Sequence, residues 1–367
     1  SRGLGDVYKR QGLERFYEDA RTGNLPDVSY IMAPTNLVEH PPMRPQDGGW
    51  LQKEVANAVM NGKDWNSTAL IFSYDETGGW ADHVMAPHAP QSVKSEWMTD
   101  PFDKKLGNQP IGPGYRLPFY IISPYTQGGH VFTEHTTHES QIMFLEKWAE
   151  AHGKPFYTKE IPKWRREQYS DLVKAFDFSK KESKVVPLPQ IPDASKDLLT
   201  GLYNGGIKCL ARNLGQRPPV PYERQDESNT LETTKGFKPV RGDLTEGRRL
   251  TFEAHGRALS HANAKLGTSR SNIDHDGDDQ LFVLQWLGTA PKDNRFHITT
   301  EKGHYITKDL SLSGNKHEAG VFSIKDMGNG VGYKVTELHA HKQLSIQKNG
   351  EVSYGDASYL KIYSVTR

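Results

Sequence analysis

From Leu250 to Arg367 the chain is written in three units of about forty residues, each alternating apolar and polar positions. Longer segments recur in pairs: Leu250–Glu253 with Gln280–Gln285, His297–Thr300 with Val321–Lys325, and Tyr333–Thr336 with Tyr359–Val365. Each pair encloses a shorter one, Ala258–Ser260, Tyr305–Thr307 or Gln343–Ile346, followed by a Gly or Asn turn. A period of two turns one side of every strand toward a core, and a unit too small to bury its own apolar side must stack on its neighbours. The pattern predicts an all-β domain over residues 242–367, built as a β-trefoil, with a β-sandwich as the alternative. A module of this kind could contact a glycan or a membrane surface. Its Asp274–Asp279 run (DHDGDD) opens like a calcium loop, but position twelve is Gln285 where a bidentate Glu is required, so it reads as a hydrated hairpin tip.

The amino-terminal part has a different rhythm. Residues 12–23 are charged and helical in pattern, with Leu13, Phe16 and Tyr17 on one side, and Leu51, Val55, Ala58 and Val59 mark a second helix ended by Gly62. Apolar runs at Val28–Met32, Ala69–Phe72 and Phe119–Ser123 read as strands. Helix alternating with strand is the rhythm of an α/β domain with a parallel sheet. Thr136 and Glu139 have capping-box spacing ahead of a helix carrying Ile142, Leu145, Trp148 and Ala149 on one face. Residues 85–114 form an irregular, proline-rich loop anchored by Trp97 and Phe102, long enough to shape a site. Residues 179–241 read as a linker whose helical candidate is Leu198–Ala211.

The stretch with the densest chemistry is Thr68–Pro87 (TALIFSYDETGGWADHVMAP). A buried strand delivers Asp75 and Glu76 where it should stop, Gly78-Gly79 turns the chain, and Asp82 and His83 follow in the same loop. In open α/β sheets ligands bind beyond the carboxyl ends of strands. Paired oxygen donors beside an imidazole suit a hard divalent cation, Asp75 and Glu76 being the ligands. His40, held in extended backbone by Pro41 and Pro42, and His138, in the first turn of a helix where backbone N–H groups favour an anion, are the other candidate site residues. Trp164 precedes Arg165-Arg166, a pair suited either to clamping phosphate or to salt bridges, the latter being preferred.

Composition narrows the class. The 367 residues carry a net charge of +1 with both signs interspersed, which gives no footprint for nucleic acid. No apolar run is long enough to span a membrane. A single cysteine, Cys209, excludes an internal disulfide. Residues 1–11 (SRGLGDVYKRQ) match nothing in the pattern that follows and are set aside as a sequencing artefact, so the domain over residues 12–178 is expected to begin part-way through.

The words DE-x-GG-x-x-DHV-x-x-P resemble the signature of the phosphoesterase family that holds bacterial and fungal phospholipases C and acid phosphatases. Pro26–Pro42, Gly112–Thr126, Thr137–Glu146 and Trp164–Phe178 follow in the order and spacing of that family, and the later PPVPY and GFKPVRGDLTEGR words resemble its fungal phospholipase C branch. The resemblance implies the carboxyl-terminal half of an alkaline-phosphatase-like sheet domain. It implies hydrolysis of a phospholipid phosphodiester to diacylglycerol and a phosphorylated head group, or, in the acid-phosphatase alternative, of a phosphomonoester. A divalent metal would sit on Asp75 and Glu76, with His40, His83 and His138 orienting phosphate or protonating the leaving group. The Thr or Ser nucleophile would lie in an absent amino-terminal half, leaving this fragment inactive. The family's usual DHTS word is altered here to Thr137-His138-Glu139-Ser140, which leaves His138 as its functional group. Secretion is implied by the same resemblance.

Overall fold

In a computed structural model the described residues are 13–77, 88–114, 116–216, 236–262, 265–289, 292–355 and 358–366. They form a mixed α/β protein with an all-β sheet region toward the carboxyl end. In chain order the first elements are α1 (Glu14–Thr22), α2 (Pro45–Met60), β1 (Leu70–Ser73), β2 (Trp97–Thr99), β3 (Asn108–Pro110), β4 (Phe119–Ile122) and β5 (Val131–Phe132). Three helices follow, α3 (His138–Ala151), α4 (Lys163–Gln168) and α5 (Gly205–Asn213), and then a run of strands. The chain divides into two compact units. One comprises Ser1–Trp80, Leu117–Gln127 and Lys181–Glu232; the other comprises Ala81–Arg116, Gly128–Lys180 and Thr233–Arg367.

In the first unit α1 buries Phe16 and Ala20, four residues apart, and ends at Gly23, whose φ of 78° is the left-handed conformation that closes helices. The helix expected from Leu51 begins six residues earlier, at Pro45, where proline loses no hydrogen bond. Its stripe of Leu51, Val55, Ala56, Val59 and Met60 packs with Phe16, Leu37 and Trp65. Strand β1 pairs with β4 in antiparallel register, Leu70 opposite Ile122 and Ser73 opposite Phe119, not in the parallel sense the helix-strand rhythm suggests. Val28–Met32 is not a strand: Tyr30 and Met32 are exposed and only Ile31 turns into the core. The helix expected from Leu198 starts at Gly205. The Asp197 carboxylate instead captures the N–H groups of Leu199 and Thr200, a side-chain bond that competes with helix formation, and holds 197–202 as a turn.

The second unit is built on β6 (Gly236–Arg241), within the stretch read as a linker, β7 (Arg249–Ala254), β8 (Arg257–Ser260), β9 (Gly267–Arg270) and β10 (Phe282–Trp286). It continues through β11 (Arg295–Thr300), β12 (Tyr305–Ile306), β13 (Leu312–Ser313), β14 (Phe322–Asp326), β15 (Tyr333–Glu337), β16 (Lys342–Ile346), β17 (Val352–Tyr354) and β18 (Lys361–Thr366). Six of these close a ring: β7 pairs with β10, β10 with β11, β11 with β14, β14 with β15, and β18 with β7. The last gap is bridged by Tyr333, whose N–H donates to Leu360 O at 2.8 Å while Leu360 N–H returns to Tyr333 O at 2.9 Å. Each strand of the ring, with Leu360 leading into β18, sends two residues inward at period two: Leu250 and Phe252, Phe282 and Leu284, Phe296 and Ile298, Phe322 and Ile324, Tyr333 and Val335, Leu360 and Ile362. All twelve are 3 % exposed or less. Hairpins β8–β9, β12–β13 and β16–β17 interrupt the ring once per repeat, at the short segments the sequence pattern marks.

Outside the ring, β5 runs parallel to β6. Helix α3 starts one residue later than expected, with Thr137 as N-cap and Ser140 Oγ accepting the Thr137 N–H at 3.0 Å. Its buried stripe is Met143, Glu146 and Ala149, whereas Ile142 is 41 % exposed. The stripe rotates because Glu146 is paired with Arg166 of α4 and can therefore be buried.

Candidate active site

Strand β1 delivers its acids as expected. The ladder continues for one residue, Tyr74 N–H donating to Pro118 O at 3.4 Å, and then the chain bends. Asp75 and Glu76 are both exposed there, with Glu76 N–H donating to Asp75 Oδ1 at 3.1 Å.

Behind the acids lies a polar network that the sequence reading does not anticipate. Gln52, on α2, donates through Nε2 to Glu39 Oε1 at 2.8 Å and to the Tyr74 hydroxyl at 2.7 Å. Its Oε1 accepts the Tyr120 hydroxyl from β4, and the Tyr120 ring stacks on Phe72 of β1 with centroids 4.7 Å apart. Burial raises the Tyr74 phenol above its ordinary value and pushes Tyr120 up to about 12, so both remain protonated at neutral pH. Gly48 makes the approach feasible: a Cβ there would lie 2.3 Å from Glu39 Cγ. The network joins the segment of Glu39 and His40 to the segment of Tyr74 and Asp75. His40 is exposed, and its Nδ1 lies 2.6 Å from Pro41 O. A carbonyl only accepts, so Nδ1 carries the proton, and in the neutral ring Nε2 keeps its lone pair.

The other candidates are placed differently. His138 is the first residue of α3, in the second unit. The carboxylate in that helical turn is Glu139. Burial disfavours its charge, yet its own N–H and Arg165 hold it below its ordinary value. Arg165 also meets Glu96, 1 % exposed, through Nε and Nη2 at 3.0 Å each, and Arg166 forks onto Glu146 at 2.6 and 2.9 Å. Both arginines thus serve salt bridges, as preferred from the sequence. His83 and Asp82, with Gly78-Gly79, lie outside the described residues. Among the described residues no three His, Cys, Asp or Glu side chains gather as a metal cluster. Asp75 and Glu76 would by themselves give a cation two carboxylates. Such a donor set fits a hard ion that keeps water and takes phosphate oxygens as its remaining ligands. The signals for the missed residues were present: Gly48-Gly49 inside a helix, where close approach is the usual reason for glycine, and Glu39 and Tyr74 beside His40 and Asp75.

Comparison with known proteins gives the family. The model of the phosphoesterase family matches residues 4–150. A non-hemolytic phospholipase C of Pseudomonas aeruginosa is 36 % identical over 323 residues, 83 % of this chain and 42 % of that protein. A non-hemolytic phospholipase C of Burkholderia pseudomallei is 35 % identical over 189 residues, 48 % of this chain and 26 % of its own length. Phospholipase C A of Mycobacterium tuberculosis is 30 % identical over 243 residues, 62 % and 43 % of the two chains. The chain spans less than half the length of these curated relatives. The Pseudomonas match is too long to leave out the strand-rich region, so the likeness extends past the part that bears the acids. With residues 4–150 matched by the family's model and the relatives named above phospholipases C, the chain belongs to the phosphoesterase family.

Proposed function

We propose that the chain is part of a phospholipase C type phosphodiester hydrolase that releases diacylglycerol and a phosphorylated head group from phospholipid. The observation that carries this reading is the exposed Asp75–Glu76 pair at the carboxyl end of a strand, inside the segment matched by the phosphoesterase model. Asp75 and Glu76 would hold a divalent ion, which when bound would neutralise charge on the phosphate oxygens. The Gln52 network ties the strand end from which the acids project, through the Tyr74 hydroxyl, to α2 and to Glu39. His40, its Nδ1 proton engaged with Pro41, presents Nε2 as the base that can accept or return a proton at the leaving oxygen. His83 and His138 are further candidates for phosphate. The six-stranded ring, its inward pairs and its one hairpin per repeat support a β-trefoil rather than a sandwich for residues 242–367. A half sheet of the alkaline-phosphatase type for the acid-bearing unit, and secretion of the protein, are parts of the same proposal. Among the described residues no helix is long and apolar enough to cross a membrane.

The test compares turnover of a chromogenic choline phosphodiester with that of a chromogenic phosphomonoester across divalent metals, for the protein carrying this chain and its Asp75→Asn variant. The expected result is preference for the diester and a loss of at least about tenfold in the variant, since one charge opposing the cation is gone. Faster turnover of the monoester would move the protein to the phosphatase side of the family. Unchanged metal-dependent activity in Asp75→Asn would remove that residue from the site.

A further inference from the structure

Between α2 and β1 the chain reads Asn66-Ser67-Thr68, and no other asparagine in the 367 residues is followed two places on by Ser or Thr. An Asn-x-Ser/Thr word with x other than Pro is the acceptor for N-linked glycan in exported proteins, and the glycan needs an asparagine that the fold leaves in solvent. The fold does so here. Residues 65–67 form a single 3₁₀ turn, with Trp65 buried in the core and Asn66 and Ser67 exposed. Asn24, Asn61, Asn213 and Asn272 spend their side-chain amides on local hydrogen bonds. The Asn66 side chain makes none among the described residues, and only its carbonyl is engaged, accepting the Tyr125 hydroxyl at 3.4 Å.

The turn that carries Asn66 is held by its neighbours. Trp65 Nε1 donates to Ser183 O at 3.2 Å, Ser123 Oγ donates to Thr68 O at 3.0 Å, and Thr68 N–H donates to Trp65 O at 3.1 Å. A glycan on Asn66 would therefore leave from an ordered base without displacing a packed side chain. The Thr68 hydroxyl, the part of the word that a transferase must read, donates to Asp64 O at 2.7 Å in the folded protein. The turn stands at the amino end of β1, whereas Asp75 and Glu76 lie beyond its carboxyl end. The four residues of the strand alone interpose about 13 Å of backbone, so a glycan here is rooted away from the acids.

We infer that Asn66 is a site of N-glycosylation, modified on the nascent chain before the Thr68 hydroxyl is taken up by its turn. The inference rests on the secretion proposed above, from a eukaryotic cell such as the fungal-branch words imply. In the step, Asn66 Nδ2 bonds to the anomeric carbon of an oligosaccharide carried on a lipid diphosphate. The carbon–oxygen bond to the diphosphate breaks, the lipid diphosphate leaves with the electron pair, and the amide gives up one proton. The test directs the full chain into the secretory lumen of a eukaryotic host behind a heterologous leader, and in parallel isolates the protein that carries it from its native source. Both are treated with peptide N-glycosidase in heavy-oxygen water, and their peptides are weighed. The expected result is a slower gel mobility that the glycosidase abolishes, with one heavy oxygen in the peptide containing Asn66 and in no other. Asn66→Gln and Thr68→Ala should remove the shift, and Thr68→Ser should keep it. Secreted chain that is bare at Asn66, or a shift that survives Asn66→Gln, would overturn the inference. Native protein that stays bare in the cytosol while the lumenal chain is labelled would overturn the proposed secretion, and native modification with it. Turnover of a water-soluble choline diester should be the same in Asn66→Gln, and its absence in every form would count against the proposed activity alone.

Discussion

Glu146 and Arg166 give the sharpest test of why α3 packs as it does. Arg166 forks onto the carboxylate at 2.6 and 2.9 Å and donates to Thr158 O at 2.6 Å, while Thr158 N–H donates to Glu146 Oε1 at 2.9 Å. The guanidinium also lies 3.9 Å from the centroid of the Tyr157 ring. The two side chains are 13 % and 10 % exposed, so neither charge has ready access to water once its partner is gone. Removing one member of a buried pair costs about 3–5 kcal/mol, and the residual exposure favours the lower end. Glu146→Gln, which turns an amide toward the guanidinium, and Arg166→Met, which strands the carboxylate, should each cost about 3 kcal/mol. The double variant should fall short of the sum by about 2 kcal/mol, because the second change removes a charge already orphaned. Hydrogen exchange of the α3 amides, read as a local opening free energy, is the suitable assay. The pH dependence has a definite sign. The Arg166 bond holds the Glu146 carboxyl below its ordinary value, so its contribution is full above the pKa of an unfolded Glu and is lost as pH falls through the folded value. The gap between the unaltered chain and Glu146→Gln should therefore narrow in acid. Single variants within about 0.5 kcal/mol of the unaltered chain, or strictly additive costs, would refute the view that this pair allows Glu146 its place in the buried stripe.

Gly48→Ala should destabilise the first unit by about 1–3 kcal/mol, against the usual helical preference for alanine, because the new methyl would overlap Glu39; urea unfolding and loss of order at Glu39 would show it. Burial first, and Arg241 second, push His130 from 6.5 down to about 4, and its Nδ1 has no hydrogen-bond partner. Its folded value is the lower one, so the contribution is present above pH 6.5 and is lost as pH falls toward 4; His130→Gln should flatten the urea midpoint across that window.

What the sequence makes legible is governed by how local the cause is. The ring strands announce themselves because each alternates residues that are fully buried, a pattern contained within five or six positions. Strands β1 and β4 are legible for their apolar runs, but their antiparallel pairing depends on where the chain returns after more than forty residues, which no run encodes. The face of α3 is misread because an ion pair, not hydrophobicity, decides what is buried there, and its partner lies twenty residues downstream. Two adjacent threonines make the cap ambiguous by one residue. At the site, Asp75, Glu76 and His40 stand out by residue type and by resemblance to the family. Gln52 does not, since an amide on a helix is ordinary until Tyr74, Tyr120 and Glu39 are seen to converge on it.

The filled ring also constrains any binding by the β region. Twelve inward side chains leave its interior to the core, so a ligand must be met on the hairpins or on the outside. One open cavity of about 550 Å³ is formed there by His255, Gln347, Lys348, Asn349, Glu351 and Ser353, at the turn of β7–β8 and the tip of β16–β17. Its polar lining includes an imidazole but no Phe, Tyr or Trp, and Gln347 Nε2 is already engaged with Ser353 Oγ at 3.0 Å. A sugar seated there would lack a broad aromatic surface for its apolar side and would depend on hydrogen bonds made in competition with water, each worth about 1 kcal/mol net.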